Sequence, residues 1–126
     1  MEKEKDVVLK FFELIGQGKM KEARNLFSPK CVTHNPYLPD GMDVLLESMA
    51  QVQSSKEMPS DGDFQIKHVI AEGDLVAVNT TLQSKSDRTK GLRQVHLFRF
   101  SGDKIVEYWD VTQMAPENSP NVIRMF

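Results

Sequence analysis

This chain is short of most of the residues that announce a function. It has one cysteine, Cys31, so no disulfide can form within it. Lys30 is the only basic residue placed to lower that thiol's pKa, so a small buried hydrophobe is expected at Cys31 rather than a nucleophile. Apolar runs are short, and none approaches the roughly 20 residues of a membrane span. The start, Met1–Asp6, alternates charge and has no signal-type apolar stretch, so the expected place is the cytoplasm, away from membranes. A formal net charge of -2 gives no basic bias toward nucleic acid. There are three histidines, and none is at a short ligand spacing from another, so zinc is not expected. Glycine-rich phosphate loops and dinucleotide fingerprints are missing, and with them any reason to expect a cofactor. No repeat, low-complexity tract or linker divides the 126 residues, which form one expected domain, 1–126.

What is present is ordinary globular patterning, with 40% hydrophobic and 27% charged residues, enough for a single core. Val7, Val8, Phe11, Phe12, Leu14 and Ile15 fall at helical spacing, with Gly16 or Gly18 as the stop. Lys19–Phe27 repeats the pattern briefly, and Ser28-Pro29 is expected to end it. Cys31–Asn35 is a short β-prone stretch closed by Pro36. A third helix begins near Asp40, the expected N-cap, and buries Met42, Leu45, Leu46, Met49 and Val52. Ser54–Asp63 is polar and contains Pro59 and Gly62, so a loop is expected there. The period then changes to extended, with strands expected over Phe64–Ala71, Leu75–Gln83, Leu92–Phe100 and Ile105–Gln113. Their connections are short enough for hairpins. Helices first and strands afterwards predict an α+β fold, with three N-terminal helices on one face of a strongly curved, mainly antiparallel sheet. Such a sheet wraps a conical cavity suited to a small molecule. The apolar end of the tail, Val122–Phe126, is expected to fold back on the body or to enter a subunit interface.

The stretch Ile105–Gln113 holds the only tryptophan, Trp109, beside Asp110 in a segment otherwise suited to a strand. A carboxylate there is costly unless it is solvated or works in a polar-lined pocket. Desolvation in a pocket would raise its pKa toward values useful in proton transfer. On the preceding strand, His96 shares a face with Gln94, Phe98 and Phe100, either as a pocket group or as a hydrogen-bonded core residue. His34 and Asn35 end a short strand and offer neutral donors at a cavity rim. The alternative for Asn35-Pro36 is turn chemistry. Tyr37, Trp109 and Gln113 are further candidate ligand-binding groups. Gln113 is three residues from Asp110, so it shares that face only if a bulge intervenes. His68 is expected on the sheet surface, and Lys85, Arg88, Lys90 and Arg93 at a solvated hairpin tip.

Several of these stretches carry a family likeness, beginning with the order of helices and strands and with His34-Asn35-Pro36. Val69–Val78, Phe98-Arg-Phe100 and Gly102–Asp110 followed by Gln113 continue it. Together they resemble the SnoaL-like polyketide cyclases of the nuclear transport factor 2-like superfamily, a cone-shaped α+β barrel. The resemblance implies Asp110 as the acid/base for proton abstraction next to a carbonyl, with His96 and His34 positioning or polarising the oxygen. It also implies a small apolar or aromatic carbonyl substrate, chemistry without a cofactor, and a homodimer. The superfold hosts many activities, so a non-catalytic small-molecule binder and a dimeric interaction scaffold stand beside the enzyme.

Overall fold

The computed structural model describes residues 2–55, 61–116, 118–121 and 125. Helix α1 (Glu2–Gly16) is followed by the single turn α2 (Met20–Arg24), strand β1 (Phe27–His34) and helix α3 (Met42–Gln53). Four long strands complete the chain: β2 (Gly62–Glu72), β3 (Leu75–Ser84), β4 (Gly91–Ser101) and β5 (Lys104–Met114). The sheet order is β1-β5-β4-β3-β2, so the sheet stays open, with β1 and β2 at its edges. β2 to β5 form the expected antiparallel meander. β1 joins it by running parallel to β5, with His34 level with Trp109.

The apolar residues of α1 do as their spacing demands: Val8, Phe11, Phe12 and Leu14 are buried against the sheet. Phe11 is central, meeting Phe27 at 5.3 Å and Phe98 at 5.6 Å in edge-to-face contacts. Such geometries add about 0.5–1.5 kcal/mol each to the area they bury. Met42, Leu45 and Leu46 bring α3 onto the same core.

The region around β1 departs from expectation. Ser28-Pro29 does not merely stop a helix; both residues lie inside β1. An edge strand tolerates proline because no neighbour needs its missing N–H on the open side, and the register shifts between Phe27 and Val32. Arg24 takes up carbonyls of this irregular stretch, donating to those of Ser28 and Pro29 at 3.1 and 3.3 Å. Asp40 is not the N-cap of α3. Gly41 holds that position at φ 130, without a side-chain cap, because the Asp40 carboxylate is already engaged by the Thr33 N–H at 2.7 Å. The loop expected over Ser54–Asp63 is described only at its ends, and Val122–Arg124 and Phe126 of the apolar tail lie outside the described residues. No helix among the described residues is long and apolar enough to cross a membrane.

Candidate active site

Strand alternation sorts the candidates onto two faces. On the face covered by the helices, Val78, His96 and Asp110 form one row across β3, β4 and β5. Asn35 follows β1 immediately and so arrives beside Asp110. Its amide nitrogen lies 3.1 Å from each oxygen of the Asp110 carboxylate. The amide cannot turn over freely, because its oxygen accepts the Tyr37 backbone N–H at 2.8 Å. Asp110 is 7% exposed, and burial raises its pKa above the ordinary carboxylate value while the bond from Asn35 pulls it back. The result is a carboxylate that holds its proton more readily than usual, clamped by a neutral donor. Turn chemistry and donor function coexist in Asn35.

His96 is buried next to it, but no hydrogen bond joins the two. Both ring nitrogens are taken: Nδ1 is 2.7 Å from the Tyr108 hydroxyl, and Nε2 is 3.1 Å from Thr80 Oγ1. The Phe12 ring meets the imidazole edge-on at 5.0 Å. Burial lowers its pKa to about 4, so the ring is neutral at pH 7. Tyr108 is fully buried, and desolvation first, then the charge of Asp110, pushes its phenol well above the usual value. One step along the same face, Gln94 donates to Thr112 Oγ1 at 2.9 Å.

His34 and Trp109 are not part of this cluster. Facing the other side of the sheet, their rings stack 4.7 Å apart at 11°, and His34 Nε2 lies 2.7 Å from Glu107. Arg99 stands 5.8 Å from the Trp109 ring centre and binds Glu107 and Asp74. Gln113 also faces outward, level with Arg93. The only register shift between β4 and β5 falls at Arg99/Phe100, so no bulge turns Gln113 toward Asp110. Tyr37 contributes its backbone N–H, while the side chain stands 87% exposed. His68 is on the outer face as expected, bonded to Asn79 at 3.0 Å.

Tyr108 and Thr80 are the site residues that sequence reasoning passed over. Tyr108 had a signal, since it is two residues before Asp110 and must share its face. Thr80 had none, because its place depends on the register between β3 and β4. A surface groove of about 450 Å³ between α2 and α3, lined by Met20, Arg24 and Leu46 among others, contains none of these residues. We take the sheet as the place of chemistry, because the buried polar groups are there. Among the described residues no group of three His, Cys, Asp or Glu is placed to hold a metal ion.

Three helices on an open five-stranded sheet are the architecture of the nuclear transport factor 2-like fold. Residues 8–108 match the family model of the SnoaL-like domain, and the chain belongs to that family. The match ends two residues before Asp110. Solved structures share the fold. AclR, a proposed hydroxylase from Streptomyces galilaeus, superposes with TM-score 0.73 at 20% identity, over 90% of each chain. A proposed ketosteroid isomerase from Kribbella flavida gives 0.70 at 17% identity, over 100% of this chain and 89% of that one. IdmH, a proposed polyketide cyclase from Streptomyces antibioticus, gives 0.66 at 18% identity, over 86% and 90%. No curated protein matches the sequence.

Proposed function

We propose that this protein is an acid/base enzyme acting on a small apolar carbonyl compound without a cofactor. Asp110 removes a proton next to the carbonyl, the C–H electron pair passes into the enolate, and the carboxyl later returns a proton. The overall reaction is an aldol-type cyclisation or an isomerisation. The observation that carries this is the Asp110 carboxylate, desolvated, raised in pKa and oriented by Asn35 on a face lined with neutral groups. A base tuned upward from an ordinary aspartate is suited to proton transfer near neutral pH. Membership in the SnoaL-like family and likeness to a proposed cyclase and a proposed isomerase support the same class. His34, Trp109 and Gln113 have no part in this reading, since none is brought to Asp110, and Tyr37 enters only through its backbone N–H on Asn35. The test is deuterium exchange at the α-carbon of a panel of enolisable ketones. Asp110→Asn is expected to lower exchange by at least a hundredfold, in line with the contribution of about 10²–10⁴ from general acid–base groups, while circular dichroism stays unchanged. Full exchange in the variant would end the assignment.

A second reading, non-catalytic binding of the same class of molecule, is favoured by how closed the cluster is in this structure: Asp110, His96 and Thr80 are all buried. A compound released intact on denaturation, with no turnover of it, would support that reading. In either case we propose a homodimer through the outer sheet face, where Val95 and Val111 pair across strands and Val111 is 68% exposed. A monomer in sedimentation at micromolar concentration would remove the dimer.

A further inference from the structure

We infer that Thr80 is the donor that meets the ligand's oxygen beside Asp110, with His96 and Tyr108 as positioning residues that aim its proton. The inference rests on the reading of Asp110 as the centre of a ligand site. Tyr108, His96 and Thr80 form an unbranched chain of phenol, imidazole and hydroxyl on the inner face, with links of 2.7 and 3.1 Å. A neutral imidazole has one donor and one acceptor, so only two orders of donation exist. Hydroxyl donors sit closer to their acceptors than N–H donors do, around 2.7–2.8 Å against about 2.9–3.0 Å. The two lengths favour the phenol donating to Nδ1 and Nε2–H donating to Thr80.

Burial alone does not separate the two orders, since Tyr108 and Thr80 are 0% and 1% exposed. Among the described residues the Tyr108 hydroxyl has His96 as its one hydrogen-bond partner. The reversed order would leave the phenolic proton without an acceptor. In the forward order the spare proton is that of Thr80, on the face it shares with Asp110. Thr80 is itself 1% exposed, so water does not serve that proton either, and a ligand oxygen would. Phe12 covers His96, and Phe64 on the edge strand β2, 42% exposed, packs on Phe12 at 5.6 Å.

This order makes the chain a polariser and not a proton source. Passing a full proton to the ligand would leave Tyr108 as a phenolate, which burial and the neighbouring Asp110 both oppose. The enolate oxygen keeps its charge under the Thr80 hydrogen bond, and Asp110 alone exchanges protons with carbon. The sequence suggests His96 as the group that touches the oxygen; the geometry moves that contact one residue outward.

Nitrogen-15 NMR of the free protein tests the order directly. His96 is expected to hold its proton on Nε2, and Tyr108→Phe is expected to release that preference. The Nδ1–H form in the native protein would overturn the inference. Binding of 2-naphthol, an enol mimic, to Asp110→Asn then tests the contact. Adding Thr80→Val is expected to weaken it about tenfold, the loss of one hydrogen bond, and Thr80→Ser to restore it. Equal affinity for Thr80→Val, or no 2-naphthol binding to Asp110→Asn at all, would also overturn it. The two proposals separate cleanly. If naphthol and tautomer behave as stated while ketone exchange survives Asp110→Asn, the donor stands and the reaction assigned to Asp110 falls.

Discussion

Tyr108 and Trp109 are chain neighbours on β5 with opposite surroundings. Tyr108 points into the aromatic core, is fully buried, and spends its hydroxyl on His96. Trp109 points outward, half-buried, between a histidine ring and an arginine head. The same alternation separates Asp110 from Glu107: one carboxylate is held by a neutral amide in a desolvated place, the other by Arg99 and His34 on an open face. Composition would rank the outer group higher, since it has the tryptophan, the histidine and the ion pairs. Environment ranks the inner one higher, because desolvation is what moves a pKa.

The sharpest break of this comparison is truncation of each ring. Tyr108→Ala should cost about 3–5 kcal/mol in urea unfolding, and Trp109→Ala no more than about 1 kcal/mol. Equal losses would mean that the two faces are packed alike. Next in size is the clamp. Asn35→Ala leaves a buried carboxylate without its donor, at about 1–3 kcal/mol, and an NMR titration should find the Asp110 carboxyl moved further up. An unmoved titration would show that the amide does not hold it.

The third effect is a pH slope. The folded pKa of His96, about 4, lies below its unfolded value, so the unfolded chain binds more protons between roughly pH 4 and 6.5. Stability from this group therefore rises with pH across that window and is lost on acidification. Asp110 acts oppositely: its folded pKa is raised, so its contribution falls as pH rises above the ordinary aspartate value. His96→Gln should flatten the measured slope and Asp110→Asn should steepen it. The smallest effect is expected outside, where His34→Ala should change stability by less than about 1 kcal/mol and leave the Asp110 titration where it was. A shifted Asp110 would tie the two faces together after all.

Much of the fold was legible because its signals are local. The spacing Val8–Phe11–Phe12–Ile15 and the alternation along β4 and β5 need only a helix and a strand to be understood. That His96 lies on the strand next to Asp110 was legible, but its register was not: counted from the Ser101–Lys104 turn it falls level with Trp109, and the shift at Arg99/Phe100 brings it level with Asp110. What failed was non-local or nearly so. His34 and Asn35 are adjacent, and only the parallel pairing of β1 with β5 decides which of them faces in. Asp40 looked like a cap because an aspartate before a helix usually is one, but its carboxylate was claimed by Thr33, seven residues earlier. Gln113 depended on a bulge that lies at the other end of the strand pair.

The pairing of β1 with β5 also has a consequence in time. Asn35 reaches Asp110 across 75 positions of sequence, and β1 has no sheet neighbour other than the last strand. On the ribosome, β1 emerges early and waits through the synthesis of everything between. The clamp on the carboxylate closes only when β5 has left the exit tunnel. Without β5 there is no Asp110 for Asn35 to clamp. Contacts of such long range make completion of the site a slow step of folding.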